Sequence, residues 1–235
     1  NIYRDEIYLY NDTFKKNFDE NHIIGLGIIN KELINNEYKF YNSFSIFDSK
    51  LNLIESYSKI KLVPFGEFLP FEKILNGMGL KTITNNFGSF TRGKERGIIE
   101  IDNNFPQKSK FLPLICYEII YSGNLTKNSN FDFIINISED GWFGDSIGPN
   151  QHFAKAIFRA VEQNSFLIRS ANQGISAIID NKGIIVKRLN SKEAGVIEHE
   201  VPLIKSKRKN KNHLIFFALL ITYIFIFYNY KKNNG

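Results

Sequence analysis

A single cysteine, Cys116, occurs in the 235 residues. The apolar run Leu112-Pro113-Leu114-Ile115 leads directly into it, and Glu118 follows two residues later. This pattern reads as a buried strand that ends at the thiol, with a helix opening behind it. The unpaired N–H groups and partial positive charge of a helix N-terminus stabilise a thiolate. A thiolate at the rim of a core is a nucleophile suited to covalent catalysis. A cysteine can equally be a packing residue, because free cysteine is among the most buried types, and the local sequence leaves both readings open. One cysteine excludes an intrachain disulfide, and His22, His152, His199 and His213 are scattered, with no Cys/His grouping at zinc-ligand spacing. Metal catalysis therefore has no support in the sequence, which also gives no sign of a cofactor.

The segments that must position this thiol alternate between strand-like and helix-like patterns. Residues 2–18 have helical apolar spacing. Residues 22–29 and 39–47 read as strands separated by the turn-prone Asn35-Asn36, and 51–57 can pair with the latter across Asp48-Ser49-Lys50. A short helix is expected within 65–75, starting beyond Pro70. Residues 76–110 are glycine-rich loop with one apolar run at 98–101, long enough to be a substrate-contacting excursion. A strand to Cys116, a helix to about Asn128 and a strand over 131–137 follow. Gly148-Pro149 opens a helix to about Gln163. Strands are expected at 166–169, 175–179, 184–187 and 196–201, with a turn at Asn181-Lys182-Gly183. Many strands with interspersed helices imply an α/β sandwich. With 43% hydrophobic residues and 14% aromatics, the chain has material for one sizeable core.

The C-terminal part has a different character. Residues 214–230 carry no charge over a stretch of about 25 Å as a helix, a little short of the bilayer hydrocarbon. Flanking lysines can snorkel, and Tyr228 and Tyr230 sit where an interfacial aromatic belt would lie. The segment reads as a membrane anchor; the alternative is a buried core helix. The net charge is +6, and Lys205, Lys207, Arg208, Lys209 and Lys211 cluster just before the anchor, where they suit anionic headgroups better than nucleic acid. The division that follows is a catalytic domain at 1–204, a basic linker at 205–213, a transmembrane helix at 214–230 and a tail at 231–235.

Several motifs in order give a closer comparison. They are Lys59 with Leu62-Val63-Pro64-Phe65-Gly66-Glu67-Phe68-Leu69-Pro70, Ile115-Cys116-Tyr117-Glu118, and Asp140-Gly141-Trp142-Phe143-Gly144 with Ser146-Ile147-Gly148-Pro149. Gln151-His152-Phe153 and Arg169-Ser170-Ala171-Asn172-Gln173-Gly174-Ile175-Ser176 complete the series. From about residue 22 to the C-terminus the chain resembles the apolipoprotein N-acyltransferase family, membrane members of the nitrilase (carbon–nitrogen hydrolase) superfamily. The resemblance implies a four-layer α-β-β-α sandwich, here lacking its first elements, followed by one transmembrane helix. It implies acyl transfer from a phospholipid to the sulfur of Cys116, then to the free amine of a lipoprotein's diacylglyceryl-cysteine. Lys59 is then the oxyanion-stabilising ammonium, with Lys61 as the alternative on the same strand face. Glu67 pairs with Lys59, Glu118 supports the proton-transfer network or the incoming amine, and Tyr117 donates to the oxyanion or shapes the pocket. Trp142 and Phe143 are candidate walls of an acyl channel. No nucleic acid and no cofactor are implied, and a monomer is expected.

One departure stands out. The superfamily's general base is a glutamate well upstream of the lysine, and too few residues precede Lys59 to hold its segment. Glu6 and Glu20 lie in no such motif, so the base is expected to lie outside this chain, which alone would be inactive. The resemblance also implies a bacterial inner-membrane location with the catalytic domain facing the periplasm. Five basic residues before the anchor against two after it would by themselves predict the opposite orientation. Two other readings stand beside this one: an amidohydrolase of the same superfamily acting on a small amide or nitrile, and a non-catalytic membrane-tethered binding module.

Overall fold

A computed structural model describes residues 2–71, 88–101, 108–123, 125–126, 130–204 and 212–234. Two sheets form the centre. A three-stranded antiparallel sheet has the order β1-β2-β3, from Ile23–Ile34, Glu37–Asp48 and Leu53–Ser58. The second, six-stranded sheet has the order β4-β5-β6-β7-β8-β9, from Ile99–Ile101, Ser109–Ile115, Phe133–Glu139, Phe166–Asn172, Ser176–Ile179 and Ile185–Leu189. Its central strands β5, β6 and β7 run parallel, and the remaining pairs are antiparallel.

Three apolar clusters mark the three interfaces of a four-layer stack. Alternation along β5 shows how the sequence builds them, since successive strand residues face opposite sides. Leu112 and Leu114 face outward to Phe153, Ala156 and Ala160 of helix α2 (Gly148–Gln163). Phe111 and Ile115 face inward to Phe44, Ile46 and Tyr57 of the other sheet. On the far side of that sheet, Ile24, Ile28 and Phe47 pack against Ile7 and Phe14. Those two residues come from the 3-10 helix Arg4–Tyr10 and from helix α1 (Asn11–Asn17). The expected α-β-β-α sandwich is therefore the observed fold.

The β2–β3 hairpin follows its turn residues. Asp48 accepts hydrogen bonds from the backbone N–H groups of Lys50 and Asn52 at 2.9 and 2.8 Å, closing the loop expected there. Helix α2 begins at Gly148 with Pro149 in its first turn and ends at Gln163, where the left-handed Asn164 caps it. Three expectations need correction. The single helix over 2–18 is a 3-10 helix followed by the short α1, and Ile2 instead pairs with β1 through its carbonyl, which accepts from Ile29 N–H at 2.9 Å. The helix behind Cys116 is one 3-10 turn, Cys116–Ile120, because Glu118 folds back to cap Ile115 and Gly123 takes a positive φ of 88° shortly after. Residues 196–201 form no strand: the Glu198 carbonyl is taken by the Lys187 ammonium at 2.6 Å rather than by a ladder partner. Ahead of the helix expected beyond Pro70, the chain makes a tight turn bridged at Pro64 and Phe68. That expected helix, much of the 76–110 loop and the basic cluster at 205–211 lie outside the described residues.

Helix α3 (Asn212–Asn234) includes the uncharged stretch. Residues Leu214–Lys232 are long and apolar enough to cross a membrane, and none of that span is buried. It is therefore not a core helix of this domain.

Candidate active site

The carboxyl ends of parallel strands are where open α/β sheets place their ligands, and the chemically promising residues meet there. Cys116 follows the last residue of β5, Asp140 the last of β6, and Asn172 ends β7. Beside them a cleft of about 920 Å³ opens between the two sheets. Its walls combine apolar strand residues (Phe44, Ile115, Ile135, Ile137) with a polar group comprising Cys116, Glu67, Asn42 and Glu139. Glycines make room for it: a Cβ on Gly27 of β1 would stand 3.0 Å from the Ile137 side chain on the opposite sheet.

Cys116 is part-buried, and its backbone lies in the left-handed region at φ 49°. A non-glycine residue held there costs about 1–3 kcal/mol. The strain arises where an extended strand, with Ile115 at φ −105° and ψ 117°, turns at once into a 3-10 turn. The result is an elbow that leaves the thiol against the cleft. Residues 116–118 open that turn, and its first N–H groups have no partner within it.

Lys59 lies just beyond β3 and is 1% exposed. Its ammonium donates to Glu67 Oε2 at 2.7 Å. Glu67 also accepts from Asn42 Nδ2 at 2.7 Å and from the Val63 backbone N–H at 2.9 Å. Three donors, one of them the buried cation, fix this carboxylate, and through it the ammonium, in one position. The strand end carrying Lys59 is itself pinned, since its carbonyl accepts from Gly93 N–H at 2.9 Å. Gly93 sits so close that a Cβ there would meet the Ser58 carbonyl oxygen at 2.1 Å. Lys61 is exposed, with its ammonium over the Tyr121 ring at 5.3 Å. Of the two lysines weighed from sequence, Lys59 is the one joined to the cleft.

Glu118 plays a part that its sequence position concealed. It is fully buried and its two oxygens are filled by protein donors. The Tyr57 hydroxyl donates at 2.8 Å, the N–H groups of Ile60 and Lys61 at 3.1 Å, Arg96 at 2.9 Å and Ile115 N–H at 3.0 Å. The carboxylate thus ties the segment after Lys59 to the strand end before Cys116. It has no face toward solvent. Arg96 is itself buried; burial works against its charge, but the Glu118 charge outweighs that and raises its pKa. Burial first, and then the same Glu118 charge, push the Tyr57 hydroxyl well above its ordinary value. Replacing Glu118 by Gln leaves Arg96 buried without its counter-charge. The expected loss is about 3–5 kcal/mol of stability, the usual result of removing one partner of a buried pair. Urea unfolding of the two proteins checks this, with a change below 1 kcal/mol as the contrary result.

The Tyr117 ring is set edge-on to Tyr121 at 6.2 Å, and this side chain does not form the cleft wall. Trp142 lies on the cleft wall and is 62% exposed. Phe143 instead packs against the His152 ring, with centroids 5.4 Å apart. Glu6 and Glu20 are exposed and do not line the cleft.

Sequence reasoning quoted Asp140, His152 and Arg169 within motifs but gave them no role. All three are buried and in mutual contact. Asp140 accepts from Arg169 at 2.7 Å and from Ser138 at 2.6 Å, and its Oδ1 lies 2.9 Å from His152 Nδ1. His152 Nε2 lies 3.2 Å from the Cys116 carbonyl oxygen. Arg169 also donates to Asn136 and to the Ile175 carbonyl. Burial acts to raise the Asp140 pKa, but the His152 and Ser138 hydrogen bonds and the Arg169 charge prevail and hold it below its ordinary 3.8. A depressed carboxylate contributes stability that is complete above its unfolded-state value and is lost as pH falls through the folded one. The melting temperature is therefore expected to drop on acidification below about pH 4, and less steeply in Asp140→Asn. Equal slopes in the two proteins would contradict the assignment. Glu139, also overlooked, reaches the cleft wall held by Gly141 N–H at 2.9 Å and Asn172 Nδ2 at 2.6 Å.

Known proteins resemble this chain in sequence and in fold. The chain is 41% identical over 167 residues to the apolipoprotein N-acyltransferase of Brucella melitensis, covering 71% of the chain and 31% of that protein. It is 39% identical over 166 residues to the protein of that name from Sinorhizobium fredii, covering 70% of the chain and 30% of the relative. The chain thus spans about a third of the length of these relatives. Among solved structures, the amidase from Nesterenkonia sp. AN1 matches 82% of the chain and 69% of its own length at a TM-score of 0.52 and 12% identity, a likeness of fold. The carbon-nitrogen hydrolase family model matches residues 18–209, nearly all of the two-sheet domain, and the chain belongs to that family.

Proposed function

We propose that this domain carries out N-acyl transfer to lipoproteins through a thioester on Cys116. The observation that carries the reading is the thiol on a left-handed elbow, facing a largely apolar cleft that also holds the Glu67 partner of a buried lysine. The relatives' name, apolipoprotein N-acyltransferase, supplies the substrate class.

In the first step the Cys116 sulfur attacks an ester carbonyl of a membrane phospholipid. A carbon–sulfur bond forms, the carbon–oxygen bond to glycerol breaks, and the thiol proton ends on the departing lysophospholipid hydroxyl. In the second, the free amine of a diacylated lipoprotein's N-terminal cysteine attacks the thioester. An amide forms, and the sulfur leaves with the amine's proton. Both steps pass through a tetrahedral oxyanion, which Lys59 serves as a fixed positive charge. Glu67 holds the ammonium; Glu118 and Tyr57 brace the two segments that carry Lys59 and Cys116. Trp142 meets the acyl chain at the cleft mouth, and Phe143 supports the loop behind it. Helix α3 crosses the bacterial inner membrane and keeps the cleft on its periplasmic face, close to both lipid substrates.

The test is a pair of assays on the full-length protein. Radiolabelled acyl groups are expected to pass from phospholipid vesicles to a diacylated lipopeptide, with no ammonia released from small aliphatic amides or nitriles. Ammonia release without acyl transfer would replace this reading by that of a hydrolase.

A further inference from the structure

Cys116 holds an unfavourable backbone conformation, and something must keep it there. Its carbonyl oxygen is met from the α2 side by His152 Nε2 at 3.2 Å. His152 is 4% exposed and lies on the helix that packs against the outward-facing residues of β5. The cleft is on the opposite, inward side, lined by Ile115, Ile135 and Ile137. In a trans peptide the C=O and the following N–H point in opposite directions. A carbonyl drawn toward α2 therefore turns the Tyr117 N–H toward the cleft. That N–H is also one of the donors that the opening of the 3-10 turn leaves without an intrahelical acceptor.

We propose that His152 is a positioning residue: by donating from Nε2 to the Cys116 carbonyl it locks the elbow, so that the Tyr117 N–H faces the reacting carbonyl oxygen. The ring has little freedom to do otherwise. Its Nδ1 is 2.9 Å from Asp140 Oδ1, Arg169 Nη2 approaches the same nitrogen at 3.1 Å, and Phe143 covers one side. Asp140 is in turn fixed by Arg169, which is 2% exposed and bonded to the Ile175 carbonyl. A buried polar chain thus runs from β7 through the end of β6 and α2 to the back of the nucleophile. Aligning a donor beneath the elbow gives the chain a role in addition to packing.

The inference rests on the reading of Cys116 as the acylated nucleophile, and one experiment separates the two. In full-length protein with phospholipid micelles, the rate of acyl addition to Cys116 is followed by intact mass. Alkylation of the same thiol by iodoacetamide is followed in parallel, since displacement at a saturated carbon creates no oxyanion. In His152→Phe, acylation is expected to fall about 10²-fold, the usual effect of losing one oxyanion donor, while alkylation stays within about threefold. His152→Gln restores an N–H donor near the carbonyl and is expected to recover at least about tenfold of the lost acylation rate. A parallel fall in both reactions, unchanged acylation in His152→Phe, or no recovery in His152→Gln overturns the inference. Should His152→Phe fail to fold, His152→Gln decides alone: acylation within about tenfold of the unsubstituted protein supports the inference, and a larger selective loss overturns it. Absence of acylation in the unsubstituted protein overturns the functional reading itself, and the inference with it.

Discussion

Cys116→Ala is expected to abolish acyl transfer, lowering the rate by roughly 10⁴-fold or more, as removal of a covalent nucleophile does elsewhere. The fold should survive, because the side chain is part-buried and alanine loses only the sulfur. Alanine in fact inherits the strain of φ 49° unrelieved. Cys116→Gly would relieve it, so the glycine variant is expected to be equally inactive yet more stable than the alanine variant by about 1 kcal/mol. Measuring transfer from labelled phospholipid and the thermal midpoint of both variants checks the two halves. Residual transfer above about one hundredth of the unsubstituted rate in either variant would contradict a covalent role for the sulfur.

Lys59→Met should lower acylation of Cys116 by about 10²–10³-fold, the range for removing one stabiliser of a developing oxyanion. Methionine keeps the length and apolar stem of this buried side chain, so the packing around it changes little in shape. It does strip Glu67 of its cation at 2.7 Å, but Asn42 and the Val63 N–H remain to hold that carboxylate. The loss should therefore fall on the rate of thioester formation and much less on the affinity for the lipid donor. Lys61→Met is the internal control: that ammonium is exposed over Tyr121, and its removal is expected to change the rate by less than about threefold. Equal effects of the two lysine substitutions would remove Lys59 from the chemistry.

The sequence disclosed the strand ending at Cys116 because an apolar run before a lone thiol is a local signal. It disclosed α2 for a similar reason, since Gly148-Pro149 and the boundary at Gln163 both belong to helix-end chemistry. It misled where tertiary bonds override local preference. The turn after Cys116 stays short because the Glu118 carboxylate is committed to donors nearly sixty residues away in the chain, at Ile60 and Lys61. Nothing near Glu118 in sequence announces those partners. The extended stretch 196–201 has strand-like composition, yet the Lys187 side chain occupies the Glu198 carbonyl. The Asp140–His152–Arg169 chain was equally hidden: its members come from β6's end, α2 and β7, and only the parallel register brings them together.

The family motifs around Lys59, Glu67 and Cys116 carried the choice of site residues further than spacing alone. What the fold adds is how each is held. Lys59 is fixed by a buried carboxylate, Cys116 by an elbow with Glu118 before it and His152 behind it. A sulfur at a cleft that also holds the partner of a fixed cation is an arrangement suited to acyl transfer through a thioester.

Intact-mass spectrometry of the full-length protein, incubated with a phospholipid donor and no acceptor, tests this most directly. The account predicts a mass increase of one acyl chain, located at residue 116, removed by neutral hydroxylamine as a thioester and lost when a diacylated lipopeptide is supplied. An unchanged mass, or an acyl chain still bound in Cys116→Ala, would contradict it.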